Sequence, residues 1–162
     1  MFGAYEMISR KDIEIAFKSR LQPEKTTDVD IASTLRYDAL HFQGKNWRDI
    51  TVEDWNLYSD AYFGLNPEAF LFFLPSLLSL ALPELANGPY IVDALIGDLD
   101  TSGVVENWND FFLQRFASLT GTELDVLSLW IGYHRQRSNP GREDELKRAA
   151  RTVLMLRQNY RN

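Results

Sequence analysis

The chain has 162 residues, a formal net charge of -6 and no cysteine, while 45% of its residues are hydrophobic and 13% are aromatic. This length fits one domain, and so high an apolar content excludes a disordered or fibrous chain. Without cysteine the chain has no disulfide framework, thiolate metal site or thiol nucleophile, which suits a reducing cytoplasm. We therefore expect a cytoplasmic protein with a single domain over residues 1–162.

Apolar residues recur at helical spacing from the first part of the chain onward. A first helix is predicted after Ser9, with an apolar face that extends to Leu21. A second helix is predicted to carry an apolar face that begins at Ile31. Thr51 and Asp54 have the spacing of a capping box, which predicts the start of a third helix.

The most apolar helix is predicted to follow Asn66 and Pro67, a pair typical of a helix start. It extends to about residue 82 and is apolar almost all round, so we expect it to lie at the centre of the core. Pro75 falls inside it and removes one backbone hydrogen bond. The sequence therefore predicts a kink or a break at this proline.

Helical signals continue to the end of the chain. A short helix is predicted after Pro89, and Thr120 with Glu123 forms a second capping box. The last helix is predicted from about Arg142, after a Ser-Asn-Pro-Gly break at residues 138–141. No stretch shows the sustained alternation of a strand. The expected fold is all-α, a single compact bundle of seven or eight helices around the Pro-kinked helix at about 67–82.

Aromatic residues are concentrated between residues 55 and 73. The cluster consists of Trp55, Tyr58, Tyr62, Phe63, Phe70, Phe72 and Phe73. Helical spacing favours a place in the core, although such a cluster also suits a ligand pocket or an interaction hot spot. We expect Tyr58 and Tyr62 to place their hydroxyl groups at the surface.

Charge is distributed very unevenly along the chain. Residues 49–132 contain thirteen acidic residues and one basic residue, for a net charge of -12, whereas residues 133–162 have a net charge of +5. An acidic body repels phosphates, so we expect no nucleic-acid binding there. The basic final segment either pairs with the acidic body or binds a phosphate or an acidic partner.

The turn from Asp98 to Glu106 follows a calcium-loop pattern at five positions. Counted from the start of the loop, Asp98 and Asp100 occupy positions 1 and 3. Ser102 occupies position 5, Gly103 position 6 and Glu106 position 9. Position 12 is Asn109 rather than the bidentate Glu that completes such a site. The alternative interpretation is an ordinary polar turn in which Ser102 or Asp100 caps the next helix.

Catalytic constellations are scarce. The two histidines, His41 and His134, lie far apart on different predicted helices, where a structural role is more common than general-base catalysis. The chain contains no Walker loop, nucleophile elbow, zinc-protease pair or dinucleotide fingerprint. We expect no enzymatic activity, no catalytic residue, no metal ligand and no cofactor.

Three segments resemble a family of small bacterial helical proteins of unknown function. The segments are Asn46–Ile50, Asp54–Asn56 and Asn66–Leu78. In that family a Gly-Lys-x-Trp segment precedes a helix, and a Phe-x-x-Leu-Pro-x-x-Leu helix follows. The resemblance covers roughly residues 40–82 and implies a helical bacterial protein. It implies no activity and no catalytic residues.

The expected function is binding, by an immunity-type protein that occludes a basic effector such as a nuclease or another toxin. Acidic surfaces accelerate and orient encounters with basic partners. The expected contact residues are Asp93, Asp98, Asp100, Glu106 and Asp110. The alternatives are a calcium-binding or small hydrolytic protein that uses the Asp98–Glu106 turn, and a structural or adaptor subunit that forms a homo-oligomer. No membrane contact is expected, because the longest charge-free apolar run contains two prolines and is too short to span a membrane.

Overall fold

A computed structural model describes residues 7–160 of the chain. This part is all-helical, with nine α-helices and no β-strand. The helices are α1 Arg10–Ala16, α2 Thr34–His41, α3 Val52–Leu57, α4 Ala61–Gly64, α5 Pro67–Leu80, α6 Val92–Leu99, α7 Asp110–Phe116, α8 Gly121–Arg137 and α9 Glu143–Asn159. Four short 3-10 helices connect them, at Trp47–Asp49, Leu85–Asn87, Val105–Asn107 and Pro140–Arg142. The predicted all-α class is confirmed.

The chain divides into two compact units by its internal contacts. Unit one comprises the chain through Ala16 together with the stretch from Asp93 onward, and unit two is Phe17–Val92. Unit one contains α1 and α7 to α9, with α8 packed on both α1 and α9. Unit two contains α2 to α5, with α2 packed on α4. The single domain expected over residues 1–162 stays a prediction.

Helix α5 supplies the core of unit two. Asn66 caps it by accepting a hydrogen bond from the amide of Ala69, and Pro67 occupies the first turn. Ten consecutive residues, Ala69–Leu78, are buried, as expected for a helix without a polar face. The burial predicted for this helix is confirmed.

The helix continues through Pro75, so the predicted break is wrong, while the kink stays a prediction. Pro75 has no amide hydrogen to donate. The hydroxyl of the next residue, Ser76, donates to the carbonyl of Phe73 and accepts from the indole of Trp55 at 2.9 Å. Because packing encloses this part of α5 on every side, tertiary contacts hold the helix together despite the proline.

Several predicted helix faces extend too far. Helix α1 ends at Ala16, and Leu21 is 78% exposed. Ile31 lies before α2 and is 73% exposed. Tyr62 is fully buried and packs edge-on against Phe70, so its predicted surface hydroxyl is wrong. The apolar residues of these segments have helical spacing. That spacing does not reveal the short connections that end one helix and begin the next, and these connections decide which side chains are buried.

Candidate functional site

All five acidic residues that were expected to bind a partner lie in unit one. Asp93 and Asp98 are on α6, and Asp100 follows the end of that helix. Glu106 lies on the 3-10 helix Val105–Asn107, and Asp110 is the first residue of α7. The structure therefore places the five within one stretch of unit one, but their surroundings differ.

Two of the five are held by arginines at or near the start of α9. The guanidinium of Arg148 makes two hydrogen bonds to Asp100, from Nε to Oδ1 at 2.6 Å and from Nη2 to Oδ2 at 3.0 Å. Arg142 donates to Oδ1 of Asp93 at 2.8 Å and also contacts Glu145. A bidentate arginine–carboxylate pair has a defined geometry, which a single point contact lacks. Asp100 and Asp93 are thus already occupied by cationic groups of the same chain.

Other arginines in this segment also have intramolecular contacts. Arg157 forms an ion pair with Asp125 of α8, and Arg151 donates to the carbonyl of Thr101 at 3.0 Å. Arg135 pairs with Glu143, and the guanidinium of Arg137 lies over the ring of Tyr133. Of the two interpretations of the basic segment, the ion pairs of Arg142, Arg148 and Arg157 with aspartates support pairing with the acidic body.

Glu106 and Asp110 differ from Asp93 and Asp100. Both are exposed, and neither forms an ion pair within the part of the chain that the structure describes. Asp98 is half-buried on α6. Of the five predicted contact residues, the chain itself therefore neutralises two and leaves two facing solvent, while Asp98 is half-buried.

The turn at residues 98–106 does not assemble a cation site. Asp98 belongs to α6, and both carboxylate oxygens of Asp100 accept hydrogen bonds from Arg148. The hydroxyl of Ser102 accepts from the amide of Val104 at 3.0 Å, an ordinary turn contact. Across residues 7–160, no three His, Asp or Glu side chains are grouped so that they could hold a metal ion.

A histidine–carboxylate pair in unit two was not predicted. His41 at the end of α2 lies with Nε2 2.9 Å from Oδ1 of Asp54 on α3, and its ring stacks on Tyr58 at 3.6 Å between centroids. The ammonium of Lys45 lies 2.8 Å from the same Nε2. One ring nitrogen either donates or accepts, so Nε2 donates to Asp54 in one tautomer of the imidazole and accepts from Lys45 in the other.

Thr51 completes the surroundings of Asp54. Its amide and hydroxyl donate to Oδ2 at 2.9 and 3.0 Å, which confirms the predicted capping box. Partial burial favours the neutral carboxyl, but the hydrogen bonds from His41 and Thr51 and the charge of Lys45 hold the pKa of Asp54 below its usual value. The capping spacing was readable from sequence, whereas the link to His41 required the packing of α2 beside α3.

The second histidine lies in the interior of unit one. His134 on α8 is 1% exposed, and its Nε2 has no hydrogen-bond partner in the described residues. Its ring packs edge-on against Trp130 and Tyr133. Burial, together with the positive charges of Arg137 and Arg142, lowers the pKa of His134 to about 4. The residue is therefore neutral at pH 7.

An open cleft in unit two does not contain the His41–Asp54 pair. It has a volume of about 710 Å³, and its lining is about equally polar and apolar. The lining residues are Leu21, Gln22, Glu24, Lys25, Asp28, Asn66, Pro67 and Glu68. This cleft brings no histidine, serine or threonine side chain to its surface, so it adds no nucleophile or imidazole to the site.

Comparisons of the chain with protein-family models, with curated proteins and with solved structures find no match. The resemblance to a bacterial helical family stays a prediction, and Leu71 stands where the pattern Phe-x-x-Leu-Pro-x-x-Leu has its phenylalanine. In the described part of the chain, no helix combines the length and apolar character needed to cross a membrane.

Proposed function

We propose that this chain is a cytoplasmic binding protein that occludes a basic protein partner, in the manner of an immunity protein that covers a nuclease or another toxin. The observation that carries the proposal is the engagement of the basic final segment by acidic residues of the same chain. Arg142, Arg148 and Arg157 each contact an aspartate, so they form no open cationic surface. An anionic ligand would have to compete with these aspartates.

The acidic excess supports a cationic partner. The chain has a net charge of -6, and exposed acidic residues remain after the intramolecular pairs are formed. Glu106 and Asp110 belong to this group and follow one another closely along unit one. A surface of one sign attracts oppositely charged proteins over a distance of about a Debye length, roughly 8 Å in physiological salt.

Charge reversal of the two solvent-facing acidic residues tests the proposal. The tagged chain is used to capture proteins from a lysate of its host at about 0.15 M salt, and each captured basic protein is purified and its affinity measured. We expect Glu106→Lys with Asp110→Lys to weaken binding by about tenfold or more, because like charges face each other across the interface.

Asp49→Lys with Glu84→Lys is the matched control. Both residues are exposed acidic residues of unit two, so the change in net charge is the same and the position differs. We expect this variant to retain the partner. If the chain retains no basic protein, or if both double variants bind with wild-type affinity, the proposed acidic interface is wrong.

A further inference from the structure

Four arginines occur in sequence along the final helix and its start, and each contacts another segment of unit one. This arginine row consists of Arg142, Arg148, Arg151 and Arg157. Arg142 contacts α6 through Asp93, and Arg157 contacts α8 through Asp125. Between them, Arg148 and Arg151 contact Asp100 and the carbonyl of Thr101, in the turn after α6. The first three arginines therefore cover α6 and the turn after it much as a basic ligand would, whereas Arg157 contacts α8.

These contacts are open to exchange with solvent and with other cations. Each pair has one well-exposed side chain: Asp93 is 70% exposed against 24% for Arg142, and Arg148 is 47% exposed against 23% for Asp100. Ion pairs near the surface contribute little to stability unless their geometry is ideal, as it is in the bidentate Arg148–Asp100 pair. An incoming guanidinium or ammonium group competes with each arginine for the same carboxylate.

Helix α9 does not depend on these ion pairs for its position. Its buried face packs into unit one through Leu146, Ala149, Thr152, Val153 and Leu156. Apolar burial of this kind contributes far more than exposed ion pairs. The arginine side chains are thus able to move away from the carboxylates while the helix stays in place.

We infer that Arg142 and Arg148 of the arginine row are internal, displaceable ligands of the acidic residues at α6, and that a basic partner binds by replacing them on Asp93 and Asp100. This inference rests on the proposed function and adds an autoinhibitory contact to it. The arginine row weakens binding of any single positive charge. A partner displaces the arginines when it presents several cationic groups at once. The acidic surface therefore selects, among basic proteins, those with clustered positive charges.

The inference is tested with a fluorescently labelled peptide of nine arginines and the full-length chain, at about 0.05 M salt so that charge interactions are weakly screened. The variants are Arg148→Gln, Arg142→Gln and the two combined. Each change frees a carboxylate from its internal partner. We expect each single variant to bind the peptide about two- to fivefold more tightly than the control described next, and the double variant about tenfold.

Lys147→Gln is the matched control. Lys147 is the neighbour of Arg148 on α9, is exposed, and forms no ion pair within residues 7–160. Its removal changes the net charge by the same amount but frees no carboxylate. Equal tightening by Lys147→Gln and Arg148→Gln would show that net charge alone decides binding, and the inference would be overturned.

A spectroscopic measurement follows the displacement directly. The Nε–H group of Arg148 donates to Asp100, so its NMR signal differs from that of an arginine in water. We expect the peptide to shift this signal in the wild-type chain toward that of a free arginine. An unchanged Arg148 signal at saturating peptide, or no binding by any variant, also overturns the inference. The Glu106 and Asp110 experiment stays independent, because those two residues have no arginine to displace.

Discussion

At the scale of single residues, the most unusual group is the buried imidazole of His134. A neutral histidine without a partner for Nε2 loses hydrogen bonds that water would provide. Protonation is worse, because a buried cation beside Arg137 and Arg142 is strongly disfavoured. The described part of the chain offers no carboxylate bonded to His134 to offset that charge. The environment of this residue therefore makes the stability of the folded chain sensitive to acid.

The pKa of His134 gives the direction of this effect. In the unfolded chain a histidine takes up its proton near pH 6.5, whereas folded His134 does so only near pH 4. Between these two values the unfolded chain binds a proton at this residue that the folded chain does not bind. The free energy of unfolding is therefore at its full value above about pH 6.5 and decreases as the pH falls toward 4. Each pH unit in this window lowers the free energy of unfolding by about 1.4 kcal/mol.

His134→Gln removes the titrating group and leaves a side chain of similar size. We expect the wild-type chain to lose about 2 kcal/mol more unfolding free energy than the variant between pH 6.5 and pH 5. Urea denaturation at both pH values measures this difference, and each protein serves as its own reference for lost packing. Parallel pH profiles for the two proteins would contradict the burial of a neutral His134.

At the scale of elements, helices α2 and α4 of unit two approach each other closely at Gly64. A Cβ atom at this last residue of α4 would lie 2.1 Å from the carbonyl oxygen of Leu35 on α2. The hydroxyl of Thr27 also donates to the carbonyl of Gly64 at 2.6 Å, which holds the backbone in place. Backbone on both sides leaves no flexible side chain to move away.

Gly64→Ala is therefore expected to destabilise the protein by about 2 kcal/mol, through overpacking of α2 against α4. Chemical denaturation gives the change in unfolding free energy. Gly97→Ala on α6 is the matched control, since nothing lies within 4 Å of its added Cβ. There, alanine is expected to stabilise by about 0.5 kcal/mol because a helix interior favours it over glycine. Similar effects of the two substitutions would contradict the close contact.

The element starts were the features most readable from sequence. The capping boxes at Thr51 and Thr120 are both present, and Asn66 caps α5 as its position before Pro67 indicated. A cap depends on residues three apart in the chain, so local sequence is sufficient to specify it. Helix ends were less predictable: α1 stops at Ala16, because the end of an apolar face depends on what packs against it.

At the scale of the whole molecule, the single domain expected from length is open to a direct test. The chain has four tryptophans, of which Trp47 and Trp55 lie in unit two and Trp108 and Trp130 in unit one. A single cooperative domain unfolds in one transition that every local probe reports. We therefore expect all four residues to report the same urea midpoint.

Labelling with 5-fluorotryptophan provides four fluorine NMR signals from the unaltered sequence. All four native signals are expected to disappear together as urea is added. Tryptophan-to-phenylalanine substitutions assign the signals one by one. Two groups of midpoints that follow the division between the units would show that the single-domain prediction is wrong and that each unit unfolds separately.

At the candidate site, the charges follow from the sequence, whereas the side-chain pairs follow from the fold. The sequence predicted the uneven charge and two interpretations of the basic segment, pairing within the chain or binding of an external ligand. It did not predict the individual ion pairs, since residues such as Arg148 and Asp100 are 48 positions apart. His41 and Asp54 belong to different helices, and nothing in their spacing predicts that the side chains meet.

The sequence by itself determined the helical class, the buried character of α5, the caps and the charge of each segment. These properties depend on residue type and on spacing within one or two helical turns, which is local information. Tertiary structure decided which acidic residues are neutralised, why α5 continues through Pro75, and why Tyr62 and His134 are buried. Those outcomes depend on side chains that come together only when distant segments pack, and packing is set by the whole chain.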